Sequence, residues 1–175
     1  MTTTNKSAPP QGIGLQRFNR LPADDAVSAL LACCSSPDWA TAIATGRPYG
    51  SHAQLYDRAR QVLAGLSESE IDAALYSHPR IGDRPTEPAA AWSRSEQAGV
   101  AADIRHALAE ANRGYEERFG HVYLVCATGR SGPELLAILN ERMSNDPATE
   151  RGVLRAELGK INTLRLTKLL EGPAT

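Results

Sequence analysis

The chain has 175 residues, with 19 lysines and arginines against 20 aspartates and glutamates and a formal net charge of -1. That length suits one domain with its own apolar core, and the mixed charges leave no basic stripe for nucleic acid or an anionic membrane, so a small molecule is the expected partner. No run of about 18 apolar residues occurs and "MTTTNKSAPPQG" has no apolar stretch after its lysine, so neither a membrane span nor a signal peptide is expected.

Residues 1–14, rich in Thr, Ser, Pro and Gly, predict a loose tail ahead of a single domain over 15–171. Ala26, Leu30 and Cys33 or Cys34 then recur at helical spacing. The two adjacent cysteines would be strained if bridged to each other; they read as buried thiols of a reducing compartment, and with a C-terminal "EGPAT" that carries no peroxisomal tripeptide the expected location is cytoplasmic. In "SSPDWATAI", Ser36 and Pro37 stand where a helix would begin, and "GRPYGS" predicts a loop ending in the cap of a helix bearing Leu55, Ala59, Val62, Leu63 and Leu66. Ser67 and Glu70 make a capping-box pattern for a helix whose apolar stripe is Ile71, Ala74 and Leu75, with His78 on the same stripe and Pro79 as its stop.

Further on, Ile104, Ala107, Leu108, Ala111, Tyr115 and Phe119 oppose Asp103, Arg105, Glu110, Arg113 and Glu117, which predicts an amphipathic helix stopped by Gly120. "HVYLVCA", residues 121–127, has the composition of a strand but no second strand to pair with, so buried coil or helix is expected. Ser131 and Pro133 open a helix with Leu135, Leu136 and Leu139, and residues 147–171 continue with Leu154, Leu158, Ile161, Leu164 and Leu169. The expected fold is all-α, one domain of about seven or eight helices.

Three places could carry chemistry. His78 should face inward beside a loop, either as a structural histidine or as a proton-exchanging group. In "WSRSEQAGV", Ser93 and Glu96 read either as a plain helix cap or, with Gln97, as polar groups beside N–H donors suited to an anion. Arg165 shares a helix stripe with Leu158 and Ile161; it is either half of a buried ion pair, with a carboxylate such as Glu96, or a fork for a planar anion. His52, His78, His106 and His121 show no H-x-x-x-H spacing and no C-x-x-C occurs, so no metal site is expected. "ATGRSGPE" lacks the phosphate-loop pattern, so nucleotide binding is not expected.

Taken together, "LLACCSSPDW", "RPYGS", "HPRIGD", "S-x-x-EQAGV", "ANRGYEERFGHVYLVCATGRS" and "RAELGKINTLRLTKLL" resemble the 2-oxo-4-hydroxy-4-carboxy-5-ureidoimidazoline (OHCU) decarboxylases, over nearly all of Phe18 to Leu170. The resemblance implies an all-helical, cofactor-independent enzyme, commonly a homodimer, that makes (S)-allantoin and carbon dioxide from OHCU in urate degradation. "HPRIGD" suits the bacterial type. Carried over position by position, the resemblance implies His78 and Glu96 as catalytic residues. Substrate contacts then fall on Pro79, Ser93, Gln97 and Arg165, and on the segment Tyr123, Leu124, Val125, Cys126 and Ala127. Two alternatives remain: a helical binding module, which the inward-facing polar residues on apolar stripes make costly, and, within what the resemblance implies, another cofactor-free ureide enzyme.

Overall fold

A computed structural model of the chain describes residues 10–76, 78–82 and 104–172. Among them are eight helices and no strand: α1 (Leu15–Arg20), α2 (Ala23–Cys33), α3 (Pro37–Thr45), α4 (His52–Gly65), α5 (Glu68–Leu75), α6 (Arg105–Phe119), α7 (Gly132–Arg142) and α8 (Pro147–Glu171). The all-α class is as the periodicity predicts.

Side-chain caps open five of the eight described helices. Ser36, Ser51 and Ser67 each accept a hydrogen bond from the backbone N–H three residues on, and Asp146 does the same ahead of Pro147. Ser131 and Glu134 close a full capping box at α7, at 3.3 and 2.6 Å. Gly120 ends α6 at φ 76°, a left-handed turn that a side chain would strain.

Two ends differ from expectation. Glu70 does not return its carboxylate to Ser67; it accepts instead from the hydroxyl of Ser36 at 2.5 Å, because Ser36 is fully buried and its O–H needs an acceptor. That bond ties the start of α5 to the α2–α3 junction. α5 also stops at Leu75, a turn before His78, whose N–H closes back on the Leu75 carbonyl at 2.9 Å. At the other end of the chain, residues 12–14, within the segment expected as a tail, donate to the carbonyls of Lys168, Leu169 and Leu170; the last two have no helical partner among the described residues, and Lys168 also accepts from the Gly172 N–H.

The core has two parts. One gathers Phe18, Leu30, Trp39, Ile43, Leu55, Leu63 and Ile71 around Leu154, Leu158 and Leu169 of α8. The other joins Ile81, Leu108 and Tyr115 to Leu135 and Leu139 of α7. Between them runs 121–127, buried coil as expected: Tyr123, Val125 and Ala127 enter the second core while Leu124 enters the first, the alternation of an extended chain. It is lodged against α7 and α8 without any strand beside it among the described residues.

Candidate active site

His78 lies just past α5, and the residues after it are fixed to α6. Arg80 forks onto Glu116 at 2.5 and 2.9 Å, and Asn112 donates to the Ile81 carbonyl at 2.9 Å. Pro79, next to His78, is half-buried. His78 is 7% exposed, and its Nε2 has no hydrogen-bond partner among the described residues. Such an orphan costs about 1–3 kcal/mol and points to a ligand or a catalytic role rather than a packing one. Burial, and secondarily the positive charge of Arg165, hold the His78 pKa down at about 3.

Arg165 comes from α8, on the stripe the sequence predicts, and is 2% exposed. Its Nη1 donates to the Cys33 carbonyl at 3.3 Å, so the C-terminal end of α2 receives the cation. The same charge is felt by the buried thiols of Cys33 and Cys34, although burial dominates and pushes both pKa values up. His78 and Arg165, far apart in sequence and assigned different kinds of role, are therefore electrostatic neighbours.

The third expected part, Tyr123 to Ala127, is held by side chains from α7 and α8 and by the turn after it. Tyr123 donates to the Leu135 carbonyl at 2.9 Å, and Leu124 offers its own carbonyl to Arg142 at 2.8 Å. The Cys126 N–H meets Glu157 at 2.8 Å, and the Ala127 carbonyl accepts from the Arg130 N–H at 3.0 Å. Val125, 3% exposed, has no hydrogen bond among the described residues. A buried peptide unit held open in this way is an edge on which a polar ligand can be read. Burial, more than the neighbouring charges, pushes the Tyr123 hydroxyl pKa upward and keeps it protonated.

Behind the segment is a network that the sequence did not reveal. Arg142 and Glu150, 5% and 0% exposed, form an ion pair at 2.8 Å through Nε; Tyr115 donates to the same carboxylate and Asn145 adds a bond at 2.9 Å. The pair ends on the Leu124 carbonyl, so it sets the height of the segment between the two cores. Glu157, also missed, shares a helix face with Ile161 and Arg165. Its signal was present, as an acidic residue four positions before Ile161 on an otherwise apolar stripe.

Ser93, Glu96 and Gln97 lie outside the described residues. Among those described, no three His, Cys, Asp or Glu side chains come together as a metal ion would need. A groove of about 720 Å³ between α4 and α8, lined by Leu63, Ala64, Gly152, Ala156, Gly159 and Leu164, shares none of the expected residues. Its rim cations Arg60, Arg155 and Lys160 are paired with Asp57, Glu68 and Glu157.

Comparison with known proteins extends the picture. A family model described as OHCU decarboxylase matches residues 19–167. The chain is 32% identical over 150 residues to the "Uric acid degradation bifunctional protein TTL" of Arabidopsis thaliana, a match covering 81% of this chain but 46% of that protein, so it spans about half the length of that relative. It is 31% identical over 146 residues to the "2-oxo-4-hydroxy-4-carboxy-5-ureidoimidazoline decarboxylase" of Amia calva, covering 79% of this chain and 83% of that one. Among solved structures it resembles an OHCU decarboxylase crystallised in the presence of (S)-allantoin, with a TM-score of 0.70, 31% identity, and coverage of 79% of this chain and 94% of that chain.

Proposed function

This chain belongs to the OHCU decarboxylase family, and we propose that it converts OHCU to (S)-allantoin and carbon dioxide in urate degradation. One observation carries the reading at this chain's own residues: a buried, neutral imidazole with an open Nε2 stands under the charge of a buried arginine, an arrangement suited to an anion that must exchange a proton.

The reaction supplies its own electron sink. The carboxylate leaves C4, its bonding electrons pass into the adjacent C5=N imine, and the imine nitrogen takes a proton. The resulting enol at C4 becomes a carbonyl as C5 is protonated on one face. The protein orients the ring, handles two protons and excludes the racemic route.

In this reading His78 exchanges a proton with the C4 hydroxyl, and Glu96 shares the traffic and orients the imidazole. Arg165 grips the flat heterocycle, with Pro79, Ser93, Gln97 and the Tyr123–Ala127 segment completing its surround. The low pKa of His78 supports a substrate-coupled step. The substrate's own carboxylate offsets the positive charge of Arg165, so the imidazole gains basicity as the anion arrives. Homodimeric assembly and a cytoplasmic location, which suits the free thiols Cys33, Cys34 and Cys126, complete the proposal. Sedimentation tests the assembly.

The activity is tested by generating OHCU in place from urate and following its absorbance with and without the protein. Decay much faster than the spontaneous rate is expected, and decay at that rate removes the reading.

A further inference from the structure

Asn162 lies in α8, three residues before Arg165 and on the same buried side of the helix. It is 2% exposed, and neither its Nδ2 nor its Oδ1 has a hydrogen-bond partner among the described residues. Within that set it alone leaves both ends of a buried side-chain amide unmet; Asn112, the nearest comparison, spends its Nδ2 on the Ile81 carbonyl. The Cys34 thiol stands beside the Asn162 amide and is the one group that interacts with it among the described residues, but a thiol is too weak a partner to satisfy a buried amide.

Its neighbours along the helix are Leu158, Ile161 and Leu166, all buried. A residue that only packed here would be apolar as they are, since an orphan amide in such surroundings works against folding. The arrangement repeats what His78 shows. Both are buried, both have open polar atoms, and each lies near Arg165, the one through its charge and the other through the helix register.

We propose that Asn162 is a substrate-contacting residue of this site that reads a ureide edge, its Oδ1 accepting from a ureide N–H and its Nδ2 donating to the neighbouring carbonyl. An amide carries one acceptor and donors side by side in one plane, the complement of the N–H and C=O that adjoin in any urea or imidazolone. The inference rests on the decarboxylase reading for its substrate and deepens it. Arg165 selects a planar anion, and Asn162 selects the ureide among planar anions.

The test uses Asn162→Leu, which keeps the volume and removes both polar ends, with Asn162→Ala in reserve should the leucine fail to fold. Steady-state kinetics on OHCU, calorimetric binding of (S)-allantoin and of hydantoin, and melting temperature are measured on the same preparation. The expected result is a KM and a ligand Kd raised tenfold or more, kcat within about threefold, and a melting temperature equal to or above the parent's, the pattern of a lost binding contact. A folded variant with unchanged KM and Kd overturns the inference, as does a lower melting temperature with unchanged ligand affinity, which makes the amide a structural partner. The two readings fail separately. A parent that decarboxylates OHCU while the variant binds as before removes the inference alone. A parent that leaves OHCU untouched but loses hydantoin binding on Asn162→Leu removes the decarboxylase reading and keeps the ureide contact.

Discussion

The guanidinium of Arg165 and the imidazole of His78, brought together from α8 and the turn after α5, are both buried, and the cation adds to burial in keeping the imidazole uncharged to about pH 3. An unfolded histidine titrates near 6.5. Between these values the unfolded chain binds a proton that the folded chain refuses, so the stability this neutral imidazole retains at pH 7 is lost progressively as pH falls through the window. Replacing His78 with Asn removes the group. From pH 6.5 to 4.5 the His78→Asn chain should lose about 2 kcal/mol less stability than the parent, measured by urea unfolding at both pH values. Equal losses in the two chains would show that His78 is protonated in the fold.

Arg165→Lys keeps the charge but not the fork. A lysine cannot reach the Cys33 carbonyl and grip a planar ligand together, so catalysis should fall tenfold or more while the protein still folds, with a stability loss of about 1–2 kcal/mol from the weakened buried bond. Full activity in a stable lysine variant contradicts the assigned grip. A loss of stability beyond about 3 kcal/mol, with (S)-allantoin affinity intact in the folded fraction, makes the arginine a structural ion.

The Arg142–Glu150 pair behaves as a unit because each charge is buried against the other. Arg142→Met alone and Glu150→Leu alone should each cost about 3–5 kcal/mol, since each leaves one uncompensated charge inside. The double variant should recover most of that loss, giving a coupling energy of several kcal/mol in a double-mutant cycle. Additive single losses would mean that the two side chains are stabilised independently, through Tyr115, Asn145 and the Leu124 carbonyl.

Local signals in the sequence did well and distant ones did not. Ser36, Ser51 and Ser131 cap their helices as expected because a cap is decided within four residues. The partner of Glu70 differs from the local expectation for the opposite reason: Ser36 lies 34 residues away and competes for the carboxylate only once α3 and α5 are packed. The early end of α5 belongs to the same class, as the loop after His78 is held by Glu116 and Asn112 of α6. Residues 121–127 have the composition of a strand and no strand to pair with, and they are coil; the side chains that satisfy them are not legible locally, since Arg142 and Glu157 lie 18 and 31 residues further along the chain from the groups they bind. Arg165 was legible as a charge on an apolar stripe; Asn162 carries the same signal one turn earlier. The assigned roles of Ser93, Glu96 and Gln97 rest on the resemblance and on the mutants it suggests. Glu96→Gln should lower the rate on the order of 10² to 10⁴-fold, and adding His78→Asn to it should cost little more if the two act as one.

The most direct measurement is the handedness of the product. OHCU made in place from urate is treated with the parent chain or with His78→Asn, and the circular dichroism of allantoin is followed through the reaction. Rapid growth of the (S)-allantoin signal is expected with the parent, and with His78→Asn a folded protein whose product forms near the spontaneous rate and is close to racemic. Racemic allantoin from the parent at the spontaneous rate, or an undiminished (S)-allantoin signal from His78→Asn, would contradict that expectation.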